Sequence, residues 1–220
     1  MDSLTYMVIN EELAEFVGAF VGDGCLSSYK RSNRKGNIEE IQFTGSWEKD
    51  SPYYLEIIQP IVMENFNANG NIKHRKDDNT VRFRITDKKV IAFLRDLGFN
   101  FGPKAKTVKI PDKILNDSSL HKSFLRGFFN TDGTIYKRYS KQYEKHAKFY
   151  QNYKVVQFKC ASKNLIVQVH SMLEELGFNP NRVIKTKDCW VCRVTFQKDV
   201  TNFGKEIITN HKYHRDRFLS

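Results

Sequence analysis

No run of the 220 residues approaches the ~18 consecutive apolar side chains of a membrane helix, so no membrane partner is expected. The N-terminus, Met-Asp-Ser-Leu-Thr, lacks the basic start and apolar stretch of a secretory signal, and a soluble intracellular protein is expected, its compartment (cytoplasm, nucleoid or organelle matrix) left open. Cysteine is scarce, at positions 25, 160, 189 and 192. The Cys189-Trp-Val-Cys192 pair resembles half a zinc site, but no second pair completes it. Its setting reads as a strand, where positions three apart face opposite ways, so structural thiols in a reducing compartment are expected. Acidic residues are the minority charge, 25 against 36 Lys plus Arg, a net +11. That excess favours a polyanionic partner, since neutralising phosphates releases condensed counterions. A basic amphipathic helix for a membrane surface is not found, which leaves nucleic acid ahead of an ordinary basic enzyme.

Against these absences stands a repeat. Residues 16–24 read FVGAFVGDG and residues 125–133 read LRGFFNTDG. At one offset of 109 residues, Gly18 matches Gly127, Phe20 matches Phe129, Asp23 matches Asp132 and Gly24 matches Gly133. The echo continues: Ile41-Gln42-Phe43 answers Val156-Gln157-Phe158, with about six extra residues in the second loop, and Arg84-Ile85-Thr86 answers Arg193-Val194-Thr195. Leu-Gly-Phe-Asn at 97–100 and 176–179 breaks this spacing, and its glycines read as helix C′ residues.

Each half reads as helix, two strands, helix, two strands, helix. The first helix is expected from an N-cap at Asn10, with Glu11 and Glu12 in its first turn, to Gly24. Its counterpart is expected from Asp117 or Ser118 to Gly133, and further helices at 51–66, kinked or ended by Pro60, and at 163–176. The proline-bearing stretch FGPKAKTVKIPDKILNDSS reads as a connector. The expected layout is a first repeat at 1–102, a connector at 103–117 and a second repeat at 118–220.

Gly18 and Gly22 are four apart, as are Gly127 and Thr131, so each motif helix carries small residues along one face. Small faces let two helix backbones approach closely. Parallel packing about a pseudo-twofold axis would bring Asp23 and Asp132 side by side at the C-terminal ends. Two such carboxylates repel, and a divalent cation, Mg²⁺ first, is the natural compensation. Bound there, it can activate water and stabilise the leaving oxygen of a phosphodiester displacement. A lone Asp-Gly helix end would carry no such meaning; two at the repeat spacing do.

Both nonapeptides resemble the signature of the LAGLIDADG family, with Gly18 and Gly127 at its first glycine and Asp23 and Asp132 at its closing acid. Val21 and Asn130 depart from it at a variable acid, and Arg126 and Thr131 are atypical. The resemblance spans nearly the whole chain and implies an α+β fold of two pseudo-twofold-related αββαββα halves. In it, curved antiparallel sheets form a DNA-binding saddle around a central pair of motif helices. It implies a monomeric homing endonuclease that cuts a long asymmetric double-stranded site with Mg²⁺, Mn²⁺ substituting, each half cutting one strand. By analogy the backbone carbonyls of Gly22 and Thr131 complete the metal's coordination. The resemblance also implies a basic residue near the site in each half: Lys49 in the first, before its helix, and Lys159 or Lys163 in the second, with Cys160 or Ala161 at the strictly aligned position.

Period-two alternation separates the strand faces. Val81, Phe83 and Ile85 oppose Arg82, Arg84 and Thr86; Val156, Phe158 and Cys160 oppose Gln157 and Lys159; Ile41 and Phe43 oppose Gln42 and Thr44. Arginine and glutamine suit the edges of guanine and adenine when strands lie in a major groove, which adds Arg193 to the set. Lys73, Arg75, Lys76, Lys185 and Lys187 fit hairpin tips. The post-motif segments contribute Ser27, Tyr29, Lys30, Arg31, Arg34 and Lys35, and Tyr136, Arg138 and Lys141, apt for phosphate. The alternatives are an intron-RNA-binding maturase, a non-cleaving DNA-binding regulator on the same scaffold, a plain basic α/β binding module, and an intein-embedded endonuclease. The Met1 start and the lack of splicing blocks speak against the last.

Overall fold

The computed structural model describes residues 7–30, 32, 36–139, 141–142, 147–149, 153–208 and 210–220. Helix α1 (Glu11–Asp23) begins where the Asn10 side chain accepts from the Leu13 N–H, and acidic Glu11 and Glu12 sit at its positive end. Strands β1 (Gly24–Lys30) and β2 (Asn37–Ser46) follow, then a helical stretch, then β3 (Asn71–Arg75), β4 (Thr80–Ile85) and α4 (Lys88–Asp96). The strands form one antiparallel sheet in the order β1-β2-β4-β3.

The second half repeats this plan. Helix α6 (His121–Asp132) leads into β5 (Gly133–Lys137), β8 (Lys154–Cys160), α7 (Lys163–Glu175), β9 (Pro180–Lys185), β10 (Trp190–Val194) and α8 (Gln197–Glu206), with the sheet order β5-β8-β10-β9. The halves thus fit the pseudo-twofold αββαββα plan. The second copy adds a short β6–β7 hairpin (Lys141–Gln142 with Ala147–Lys148) in its longer loop, and a terminal helix α9 (Lys212–Leu219).

Three element boundaries differ from the sequence reading. The helix expected at 51–66 begins four residues earlier, as α2 (Trp47–Tyr53), because the Asp50 carboxylate accepts the Ser46 N–H at 2.6 Å and closes the first turn. Lys49 is therefore within that turn rather than before it. Pro60 does not end the stretch: a π turn (Tyr54–Ile58) lies just ahead of it, and α3 (Gln59–Phe66) starts with the proline in its first turn, where no N–H is required. The connector holds a one-turn helix α5 (Asp112–Leu115), and Asp117 caps a 3₁₀ turn (Ser118–Leu120) that runs on into α6.

The core is one continuous apolar cluster running through both halves. On β4 the inward residues Val81, Phe83 and Ile85 are fully buried, while Arg82 and Arg84 lie on the opposite face, as alternation requires. Gly98 and Gly177 both take left-handed backbone after their helices. All four cysteines are free; Cys192 is buried in β10, and burial pushes its thiol up to about 12. No helix among the described residues is long and apolar enough to cross a membrane.

Helices α1 and α6 pack on each other in parallel. A Cβ on Gly18 would stand 2.1 Å from the Phe124 carbonyl oxygen, and one on Gly127 would stand 2.0 Å from that of Glu15. Real Cβ atoms never approach so closely, so only glycine allows this backbone contact. Further along, a Cβ on Gly22 would meet Thr131 Oγ1 at 2.1 Å. Beside the seam, buried Glu15 is satisfied from three elements: Arg126 Nη1 at 3.1 Å, the Tyr53 hydroxyl at 3.1 Å and Asn210 Nδ2 at 2.7 Å. Arg126, atypical for the signature, has its partner there.

Candidate functional site

The parallel seam ends at Asp23 and Asp132, each the last residue of its helix. Both carboxylates sit at the negative ends of helix dipoles, which adds to their mutual repulsion. Burial, then the Asp132 charge, raise Asp23 from 3.8 to about 7, and the Tyr54 hydroxyl, donating to Asp23 Oδ2 at 2.8 Å, opposes the rise. Burial also raises Asp132, and the charge of Lys104 opposes it. The paired acids are held in a place that disfavours their own ionisation, the condition a bound cation relieves.

Lys104, from the connector, was not singled out by sequence reasoning. Its ammonium donates to the Val21 carbonyl at 2.5 Å and the Gly22 carbonyl at 3.1 Å, over the Phe20 ring at 5.4 Å. Burial lowers its pKa, and Asp132 is the strongest charge acting the other way. The sequence signal was faint: one lysine among 36 basic residues, in a segment with no pattern of its own.

Among the described residues no cluster of three or more His, Cys, Asp or Glu can hold a metal. The oxygens that could hold a metal at the seam are those expected from the sequence, the two carboxylates and the backbone carbonyls of Gly22 and Thr131. Hard oxygen donors of this kind suit Mg²⁺, which keeps several waters and binds substrate phosphate. The Gly22 carbonyl already accepts from Lys104, so a cation there shares it or displaces the ammonium.

The three expected lysines make contacts of their own or lie open to solvent. Lys49 is exposed, its ammonium 4.9 Å from the Tyr213 ring centroid, and Tyr213 in turn accepts from Arg217 at 2.7 Å. Lys163, first residue of α7, lies over Trp190 at 5.0 Å, and Lys159 is exposed on β8. The charge acting on both catalytic candidates is that of Lys104. Cys160 reaches the Ala105 carbonyl at 3.8 Å, so the connector meets the second half next to the aligned position.

The outer faces of both sheets carry most of the proposed DNA-contacting residues. Thr44, Lys30, Lys73, Arg75, Lys76, Arg138, Lys185 and Lys187 are exposed, and Ser27, Tyr29, Gln42, Arg82, Tyr136, Gln157 and Arg193 are half-buried. Several are already engaged. Gln42 donates to Thr44 at 3.1 Å, Arg75 pairs with Asp78 at 3.4 Å, and Arg193 Nε donates to Gln157 Oε1 at 2.7 Å. Ser27 Oγ lies 3.4 Å from Cys25 Sγ, Arg138 stacks over Tyr153 and Lys185 over Trp190. Arg84 pairs with Glu40. Arg31, Arg34, Lys35 and the side chain of Lys141 lie outside the described residues.

Comparison with known proteins bears on the fold that carries this site. Residues 119–208 match the family model of the LAGLIDADG-like domain. Over 129 residues the chain is 35% identical to a replication factor C small subunit of Methanocaldococcus jannaschii; the match covers 58% of this chain and only 6% of that protein's length. The fold matches the homing endonuclease I-DmoI in complex with DNA and Mn, with a TM-score of 0.59 at 17% identity over 91% of this chain and 98% of that one. It also matches the meganuclease I-AabMI bound to uncleaved DNA, with a TM-score of 0.60 at 13% identity over 96% and 88%. The N-terminal LAGLIDADG domain of DUF199/WhiA matches with a TM-score of 0.54 at 13% identity over 95% and 89%.

Proposed function

We propose that this chain, a LAGLIDADG-like domain paired with its repeat in the two-half LAGLIDADG fold, is a site-specific endonuclease of double-stranded DNA that requires a divalent metal. The observation that carries the reading is the pair Asp23 and Asp132: half-buried at the ends of two packed helices, pushed toward protonation by desolvation, with Lys104 the cation that acts on both among the described residues. A surface built for binding alone has no need of that arrangement.

Mg²⁺, for which Mn²⁺ substitutes, would be held by Asp23, Asp132 and the Gly22 and Thr131 carbonyls, and would supply Lewis-acid stabilisation and an activated water. The chain's own residues prepare the place. Tyr54 fixes one oxygen of Asp23 and leaves the other for coordination. Lys104, tethered to the Val21 and Gly22 carbonyls, sets a positive charge beside the acids, where it orients a scissile phosphate and stabilises its developing charge. Lys49 and, in the second half, Lys159 or Lys163 provide further cations around the seam.

Repeat one (1–102) and repeat two (118–220), joined by 103–117, would each present a sheet face to one half-site, so a monomer reads an asymmetric target. The reading is tested by incubating the protein with a randomised duplex library in Mg²⁺ and in EDTA and sequencing the ends. Metal-dependent double-strand breaks at one long site are expected. Binding without cleavage by folded protein in Mg²⁺ would overturn the endonuclease reading in favour of a regulator, or of a maturase, for which intron RNA is the next substrate.

A further inference from the structure

The two halves carry the same arginine at the same place in their sheets, Arg84 on β4 and Arg193 on β10, 109 residues apart. Their direct cross-strand neighbours are also the same: Gln42 faces Arg84 and Gln157 faces Arg193. The partners they choose differ. Arg193 Nε donates to the neutral amide of Gln157 at 2.7 Å. Arg84 instead gives both Nε (2.9 Å) and Nη2 to a single oxygen of Glu40. The Tyr29 hydroxyl donates to that oxygen too, at 3.1 Å, and Arg84 Nη2 reaches Tyr29 at 3.4 Å.

Glu40 is an anomaly on its face. Its strand neighbours Ile41 and Phe43 fill the core, so Glu40 belongs with Gln42 and Thr44 on the outside; yet its side chain is only 8% exposed, against 30% for Arg84. The carboxylate is covered by the two side chains it holds. A shielded, multiply hydrogen-bonded pair is far less mobile than a solvated one, and its charges cancel at the surface. Nη1 of Arg84 makes no hydrogen bond among the described residues, so this nitrogen remains for a ligand.

We propose that Glu40 is a specificity-determining residue: it locks Arg84 into one orientation and cancels its charge. The first half then reads its DNA position with a fixed neutral unit, while the second half reads the equivalent position with the charged Arg193. This rests on the DNA-binding reading above. A donor fixed in one direction discriminates between base edges, whereas a freed arginine slides to the nearest phosphate. Each phosphate neutralised in that way adds about 0.9 to the slope of log affinity against log salt.

The test uses the full chain with Ca²⁺ in place of Mg²⁺ and scores binding alone. Position-by-position base preference and the salt slope are compared for the wild type, Glu40→Gln, the double variant Glu40→Gln/Arg84→Gln, and Arg193→Gln, with thermal melts confirming folding. Glu40→Gln is expected to relax preference at one step of one half-site and to steepen the slope by about 0.9. The double variant, with the wild type's net charge, should keep the relaxed preference but return to the wild-type slope. Arg193→Gln should flatten the slope by a similar amount and act on the other half-site. Folded Glu40→Gln with the wild-type profile and slope would overturn the proposal, as would a double variant whose slope stayed steep, since the excess would then not come from Arg84. If the wild type itself selects no DNA sequence, the DNA-binding reading falls first and this inference with it.

Discussion

The Tyr54 hydroxyl donates to Asp23 Oδ2 at 2.8 Å, whereas the ammonium of Lys104 acts on Asp23 and Asp132 alike. The two carboxylates are equivalent in sequence and unlike in surroundings, since among the described residues Asp23 accepts a tyrosine hydroxyl and Asp132 does not. Under the proposed function, the two strand cleavages are expected to differ in rate.

Tyr54→Phe removes a hydrogen bond to an ionised group, an interaction of about 1.5–3 kcal/mol, so one of the two strand cleavages should slow by about tenfold or more. Nicked circular DNA should accumulate as an intermediate on a plasmid carrying the target. Because the hydroxyl lowers the Asp23 pKa, its loss should also move the acid limb of cleavage to higher pH. Equal slowing of both strands, read on a denaturing gel with each strand labelled, would contradict this.

Stability should depend on pH through Asp23. Folded, it keeps its proton to about 7; unfolded, it releases it near 3.8. Between these values the folded state binds more protons, so this group's contribution to stability is complete below about pH 4 and is lost as pH rises through 7. In EDTA, Asp23→Asn should therefore melt higher than the wild type at pH 8 and close to it at pH 4, by ~2–4 °C for each kcal/mol recovered in a chain of this size. Mg²⁺ at pH 8 should raise the melting temperature of the wild type and not of the variant. Melting curves that differ equally at both pH values would refute the assignment.

Close backbone approach at the seam makes Gly127→Ala and Gly18→Ala severe. The added Cβ would meet carbonyl oxygens of the facing helix at 2.0 and 2.1 Å, and backbone cannot rotate aside. A loss at or above the ~3 kcal/mol end of overpacking costs is expected by urea denaturation. Gly22→Ala meets Thr131 Oγ1 at 2.1 Å, which can turn aside, and Thr131 Cβ at 2.8 Å, which cannot; with no facing carbonyl in the way it should cost less than the other two. If all three cost the same, close helix approach is not what those glycines provide.

Lys104→Met should lower cleavage by 10²-fold or more, the scale found for removing one preorganised charge-stabilising group, with target binding retained. Removing the cation also lets the Asp132 pKa rise further, so the residual activity should require higher pH. Unchanged cleavage would place the catalytic cation at Lys49 or in the second half, at Lys159 or Lys163.

The repeat made the central architecture legible. Small residues four apart and the Asp-Gly ends define a parallel helix pair by local sterics, and strand alternation on 81–86 and 156–160 fixed which side chains face the core. What escaped was set by tertiary contact. Lys104 lies 81 residues from Asp23 in sequence, in a connector with no periodicity, and only the fold brings it to the Gly22 carbonyl. Tyr54 depends on the π turn, which no propensity foretold. Glu40 has an ordinary strand sequence, and its burial comes from Arg84 and Tyr29 on two neighbouring strands. The helix start at Trp47 rests on Asp50 reaching back to the Ser46 N–H, one acid among several nearby.

The most direct measurement of the central claim is cleavage of the selected target in Mg²⁺ by Asp23→Asn and by Asp132→Asn, alongside binding of the same DNA. The account predicts that each single substitution abolishes double-strand cleavage while the affinity stays near that of the wild type. A variant that still cuts both strands efficiently would contradict the assignment of that carboxylate and, with it, the paired-acid site.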